Sequence, residues 1–280
     1  MKHRRMKWIS LFLSMLLVMT VVPPDAHAAK RTISQDGFTF DIVRDDAAFT
    51  EIVTKYEGDE YRGILDRSTG NITIEVTGKD KERHSYEVQV ENADGSSFSA
   101  VLKDKKDKRE YRLGKDKKKV RAQFVIALPI AIGLIDALVM ALLAASATIV
   151  IAGVTYYVAS KVIENVKRSS YDYFMAVIRN NDVYIGPAID YSTAFTRVYG
   201  NGDIWCRTQI LCQTIAYNVS YTYNTIIVNK IPNISDKERK TEIEKRAGVI
   251  GPEIHGNGSS GYYFHYHPKN FIYRPHCFYA

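Results

Sequence analysis

The chain has 280 residues, a formal net charge of +7 and three cysteines. Three unevenly spaced cysteines exclude a disulfide framework, although a single disulfide between Cys206 and Cys212 is possible. The positive charge is local, because residues 103–121 hold eleven Lys and Arg against four Asp and Glu.

Residues 1–28 predict a secretory signal peptide. A basic start precedes an apolar run from Trp8 to Val22, and Ala26-His27-Ala28 is a typical cleavage sequence. The alternative is an uncleaved membrane anchor. Both interpretations predict a chain that leaves the cytoplasm, either secreted or membrane-associated at the cell envelope.

Residues 29–102 predict a small antiparallel β domain. Apolar and polar residues alternate there in short runs, and turn-forming residues separate the runs at Ser68–Asn71 and Asn92–Gly95. No titratable groups gather at a recognisable spacing in this region. We therefore expect this domain to act as a scaffold, or in recognition or display, and not in catalysis.

Residues 103–122 predict a basic linker, either a solvated segment or one attracted to anionic lipid or nucleic acid. Residues 123–160 follow as a hydrophobic membrane segment whose single charge is Asp136. The run from Ala137 to Ala159 is long enough to cross a bilayer, so we expect a central hydrophobic helix or helical hairpin with membrane lipid as a partner. The alternative is a buried helix of a soluble core.

Residues 170–280 predict a compact C-terminal α+β module, which makes α+β the expected fold class. Its expected elements are a β-hairpin over Tyr173–Gly186, a helix capped by Asp190 or Ser192 and closed by Gly200, a strand over Tyr221–Val228, and a helix from the capping box at Ser235 to Gly248.

Four of the seven histidines lie in the last twenty-six residues, at His255, His265, His267 and His276. On a strand, the two-residue spacing of His265 and His267 puts both imidazoles on one face. Imidazole titrates near neutral pH and binds metals, so this cluster is the candidate site. The structural alternative is a set of hydrogen-bonded β residues among tyrosines.

Two chemistries fit these residues. In the first, two histidines act as general base and acid on an RNA phosphodiester, without a cofactor, and Arg274 or Lys269 stabilises the phosphate charge. In the second, His265 and His267 bind Zn²⁺ together with His276 or His255, and Glu253 serves as ligand or base. The sequence leaves both open.

Three motifs in this region are GPEIHG at Gly251–Gly256, YYFHYHP at Tyr262–Pro268, and HCFY at His276–Tyr279. Together they resemble the C-terminal signature of a family of secreted toxin-like proteins from Gram-positive bacteria. That family shares the signal peptide, the central hydrophobic segment and a motif like Tyr184-Ile185-Gly186. The resemblance implies a polymorphic-toxin-like C-terminal domain, several classes of which are regarded as nucleases, and an immunity protein as partner.

The expected function is therefore that of a secreted or membrane-associated bacterial toxin with a histidine-dependent ribonuclease module. The site residues we expect are His255, His265, His267, His276, Arg274 and Glu253. The alternatives are a non-enzymatic pore-forming protein and a membrane-anchored envelope protein.

Overall fold

The computed structural model describes residues 31–46, 48–95, 97–114, 129–254 and 262–280. The chain divides into two compact units, Met1–Ala145 and Ser146–Ala280. The predicted signal peptide, residues 115–122 of the predicted linker, and His255 lie outside the described residues.

The first unit contains an antiparallel meander in which each strand pairs with the next one along the chain. Alternation of apolar and polar residues gives each strand one buried face, and Phe40, Ile52, Leu65 and Leu102 are fully buried. Its strands are β1 Thr32–Gln35, β2 Phe38–Asp45, β3 Phe49–Tyr56, β4 Asp59–Asp66, β5 Ile72–Thr77, β6 Arg83–Ala93, β7 Phe98–Asp104 and β8 Glu110–Gly114.

Helix α1, Pro129–Ala145, belongs to the core of this unit. It contacts β1 to β4 and also β8, so both ends of the meander meet the same helix. Gly63 of β4 leaves the space that Leu138 fills, since a Cβ on Gly63 would lie 3.4 Å from Leu138 Cγ. The Asp136 carboxylate accepts a hydrogen bond from the Gly114 backbone N–H at 3.3 Å. The apolar composition of α1 is thus that of a buried helix.

The predicted transmembrane helix is wrong. The run from Ala137 to Ala159 is broken after α1 by a hairpin of β9 (Thr148–Ile151) and β10 (Val154–Val158). Ala152 and Gly153 form its turn at φ of 49° and 77°. Within the described ranges, no helix has both the length and the apolar composition needed to cross a membrane.

The predicted fold class, with its central hydrophobic helix or helical hairpin, is wrong for the same reason. The described residues form sixteen strands and five helices, and strand is the predominant structure. The physical cause is the run of β-branched residues at Thr148–Ile151, which favours a strand over continuation of the helix.

The second unit orders its strands β9-β10-β12-β11-β13-β16-β15-β14. All neighbours are antiparallel except β13 and β16, which run parallel. The predicted hairpin forms here, with Asn180 and Asn181 in its turn at φ of 51° and 66°. The remaining strands are β11 Tyr173–Arg179, β12 Asp182–Ile189, β13 Ile204–Cys206, β14 Val249–Glu253, β15 Phe264–Pro268 and β16 Cys277–Tyr279.

Four helices complete this unit: α2 Ala159–Arg168, α3 Tyr191–Tyr199, α4 Gln209–Val228 and α5 Asp236–Arg246. Asp190 caps α3, and the capping box predicted at Ser235 opens α5. The strand predicted over Tyr221–Val228 is wrong, because these residues form the second half of α4. Burial of α4 against β15 and β16 overrides the β propensity of the tyrosines, threonines and isoleucines in this half of the helix.

The two faces of this sheet carry different layers. Helices α3 and α4 pack on one face around Ile204, Tyr266 and Cys277. On the other face, α2 packs with Trp205 and Phe278. Cys206, Cys212 and Cys277 are buried free thiols in the α3 and α4 layer, so the Cys206–Cys212 bridge that the sequence left open is not formed.

Candidate functional site

The sheet brings three of the four predicted histidines together. Strand β15 carries His265 and His267, and His276 directly precedes β16, the strand paired antiparallel with β15. The imidazole centroids lie 4.9 Å apart for His265 and His267, 4.9 Å for His265 and His276, and 4.8 Å for His267 and His276. The predicted shared face of His265 and His267 is thus confirmed.

Each imidazole is oriented by a hydrogen bond at Nδ1. The acceptors are the Tyr263 carbonyl for His265 at 3.0 Å, the Pro275 carbonyl for His267 at 2.9 Å, and Asp203 Oδ1 for His276 at 2.9 Å. Carbonyl and carboxylate oxygens only accept, so each Nδ1 carries the hydrogen. In the neutral ring, Nε2 then carries the lone pair that a metal ion or a proton would use.

One nitrogen from each ring could ligate a shared ion, since these atoms lie within 4.8 Å of one another. Tetrahedral zinc with Zn–N bonds of about 2.0–2.1 Å requires nitrogen separations of about 3.3 Å. Binding therefore requires imidazole movement on the order of an ångström, a distance that small rotations of the rings can supply.

The three imidazoles differ in exposure. His265 is fully buried and His267 is 4% exposed, whereas the His276 side chain is 21% exposed. Burial lowers the pKa of His267, and the neighbouring His276 and Arg274 lower it further. A lowered pKa keeps His267 neutral near pH 7, which is the form that binds a metal.

Aromatic side chains form the wall beside the imidazoles. The His276 ring stacks on Phe278 at 5.2 Å, and the His265 ring meets the same residue edge-on at 5.3 Å. Trp205 and Tyr263 are in edge contact at 4.9 Å on this side of the sheet. This wall restricts the orientation of the rings and lowers the local dielectric.

Glu253 and Arg274 border the cluster. Glu253 Oε2 lies 3.7 Å from His267 Nε2, a charge contact longer than a hydrogen bond, and its side chain is 40% exposed. Arg274 is exposed and close enough to affect the titration of His267. The solvent-exposed part of the cluster therefore lies at His276, Glu253 and Arg274. His255 lies outside the described residues.

Asp203 is the residue that the sequence analysis missed. It ends the turn after α3 and lies 73 residues from His276, with which it shares two hydrogen bonds. The turn sequence Gly200–Asp203 gives no sign of this partner. Only the parallel pairing of β13 with β16 brings the two residues together.

A groove of about 450 Å³ lies along α3, lined by Ser192, Thr193, Thr196 and Arg197 of that helix and by Met175 of β11. Helix α3 packs on the face of the sheet opposite to Trp205 and Phe278. Gly200 and Gly202, in the turn that precedes Asp203, also line the groove.

No protein-family model matches this chain, and neither a curated protein nor a solved structure does. The functional argument consequently rests on the geometry of the cluster and on the residues around it.

Proposed function

We propose that the second unit is a metal-dependent hydrolase and a candidate ribonuclease of a secreted toxin-like protein, with Zn²⁺ held by His265, His267 and His276. The observation that carries the proposal is the convergence of three ring nitrogens within 4.8 Å. All three Nδ1 atoms donate to oxygen acceptors, so in the neutral rings Nε2 is the nitrogen that carries the lone pair a metal ion would use.

Three protein ligands leave a fourth coordination position for water, as in catalytic zinc sites. An ion held by these three residues would lower the pKa of a bound water toward 7 and would so supply a nucleophilic hydroxide. Glu253 is the candidate base, because its Oε2 is 3.7 Å from the His267 nitrogen that would bind the ion.

The proposed reaction is hydrolysis of a phosphodiester. The hydroxide oxygen attacks phosphorus, the proton from the water passes to Glu253, and the P–O bond to the leaving group breaks. The leaving oxygen then takes the proton from Glu253. Arg274, exposed on the same side, is the candidate group that holds the negative phosphate.

RNA is the substrate we favour, on two grounds. The motifs around these histidines resemble those of toxin-like proteins that include presumed nucleases. Arg274 is also exposed and close enough to His267 to affect its pKa, so its guanidinium can bind the phosphate backbone beside the cluster.

Metal-free acid–base catalysis fits the geometry less well. A general acid and base must contact the substrate on two sides of the scissile bond, but His265 is fully buried. His267 is buried as well, at 4% exposure, whereas an acid–base pair needs two imidazoles that reach the substrate.

The test uses the full chain, stripped of metal and then titrated with Zn²⁺, in a cleavage assay with a fluorogenic single-stranded RNA. We expect one zinc per chain and cleavage that stops when a chelator removes it. The variants His267→Gln and His276→Gln should lose both zinc binding and RNA cleavage. The control is His84→Ala, since His84 lies in β6 of the first unit and its side chain is 45% exposed.

Two results would contradict the proposal in different ways. Cleavage that persists without metal would overturn the zinc mechanism in favour of acid–base catalysis. Zinc bound at the histidines without RNA cleavage would overturn the ribonuclease assignment.

A further inference from the structure

We infer that Asp203 is a positioning residue of this site, which holds His276 as a metal ligand through a carboxylate–histidine pair. The inference rests on the metal site proposed above. It adds a second carboxylate to the site besides Glu253, in a different role.

A single carboxylate oxygen fixes both the backbone and the ring of His276. Asp203 Oδ1 accepts the His276 backbone N–H at 2.8 Å and the Nδ1–H at 2.9 Å. Holding the main chain and the ring at one point restricts both torsions of this side chain. The ring is then presented with Nε2 directed away from Asp203.

His276 needs such support more than the other two ligands do. Its side chain is 21% exposed, whereas the rings of His265 and His267 are confined by burial as well as by their hydrogen bonds. It is also the histidine whose Nδ1 partner is a carboxylate, while the other two have backbone carbonyls. A charged acceptor makes the stronger hydrogen bond and fixes the orientation of the ring.

Asp203 is itself held in place by Arg197 of α3. Arg197 Nε donates to the Asp203 carbonyl at 2.7 Å, and its Nη2 donates to the Ala176 carbonyl at 2.9 Å. Gly202 leaves room for this side chain, because a Cβ there would lie 2.7 Å from Arg197 Cγ. The Ile204 N–H also donates to the His276 carbonyl at 3.0 Å. These bonds tie the main chain at Asp203 to α3 and β11 and hold it beside His276.

The test compares the full-length wild type with Asp203→Asn and Asp203→Ala, using Co²⁺ as a spectroscopic probe and Zn²⁺ in competition with a chromophoric chelator. We expect the two variants to bind zinc about 10–100-fold more weakly and to shift the visible Co²⁺ absorption bands. Asp172→Asn is the matched control, since Asp172 pairs with Arg207 and not with a histidine. It should match the wild type.

A measurement on the wild type alone keeps the inference testable if the Asp203 variants fail to fold. In ¹H–¹⁵N spectra of the zinc-loaded chain, His276 should carry its proton on Nδ1 and zinc on Nε2. Zinc on His276 Nδ1 would overturn the role of Asp203.

The two proposals fail in distinguishable ways. If Asp203→Asn has the zinc affinity and Co²⁺ spectrum of the wild type, only the role of Asp203 is overturned. If the wild type binds neither ion, the metal site itself is overturned, and the role of Asp203 with it.

Discussion

Replacing Leu138 by alanine tests whether α1 is a core helix of the first unit. Leu138 is fully buried and fills the space above Gly63, whose added Cβ would lie 3.4 Å from Leu138 Cγ. Strand β4 is paired with β3 and β5 at Gly63, so the backbone cannot collapse into the cavity. Buried Leu→Ala changes cost about 2–5 kcal/mol, and a rigid wall places this one at about 3–5 kcal/mol.

The assay is urea unfolding followed by far-UV circular dichroism, with Leu138→Met as the control. Methionine keeps nearly the same volume, so the control should lose less than about 1.5 kcal/mol. The double variant Leu138→Ala with Gly63→Ala should recover part of the loss, because the new methyl group occupies part of the cavity. A loss below about 1 kcal/mol for Leu138→Ala would refute the buried position of α1.

Three further predictions concern the second unit. Glu253→Gln should lower RNA cleavage by about 10²–10⁴-fold while zinc affinity, measured by competition, changes little; equal loss of both would make Glu253 a ligand instead of a base. Ser220→Ala should destabilise the unit by about 1–3 kcal/mol in urea unfolding, because the Ser220 hydroxyl donates to the Lys269 carbonyl at 2.6 Å and accepts from the Gly248 N–H at 3.1 Å. An unchanged midpoint of urea unfolding would mean that a water molecule makes these hydrogen bonds in place of the Ser220 hydroxyl. Ser235→Ala removes the N-cap of α5 and should cost about 1 kcal/mol, with faster amide exchange in the first turn; unchanged exchange would contradict the cap.

Local signals in the sequence predicted local structure well. The alternation between residues 31 and 102 predicted strands, and Asp190 and Ser235 marked the starts of two helices. The asparagine pair at residues 180 and 181 marked a hairpin. Each of these depends on residues close together in the chain, where side chain and backbone interact directly.

The errors come from tertiary packing. A long apolar run has the same composition whether lipid or protein surrounds it, so residues 137–159 resembled a membrane span although they form the end of α1 and a hairpin. The tyrosines, threonines and isoleucines of Tyr221–Val228 favour a strand by propensity, but packing against the sheet makes them part of α4.

The candidate site was predictable only in part. The two-residue spacing of His265 and His267 on a strand predicted their common face, and the sequence offered His276 or His255 as the third ligand. Asp203 could not be found in this way, because its hydrogen bonds to His276 join positions 73 residues apart. Such a partner becomes visible only when the strand order is known.

X-ray absorption spectroscopy of the zinc-loaded full chain tests the central claim most directly. Our account predicts three imidazole nitrogens and one oxygen at about 2.0–2.1 Å from the ion. Sulfur at about 2.3 Å would instead place zinc at the buried thiols of Cys206, Cys212 and Cys277. That result, or fewer than three imidazoles around the ion, would contradict a site built from His265, His267 and His276.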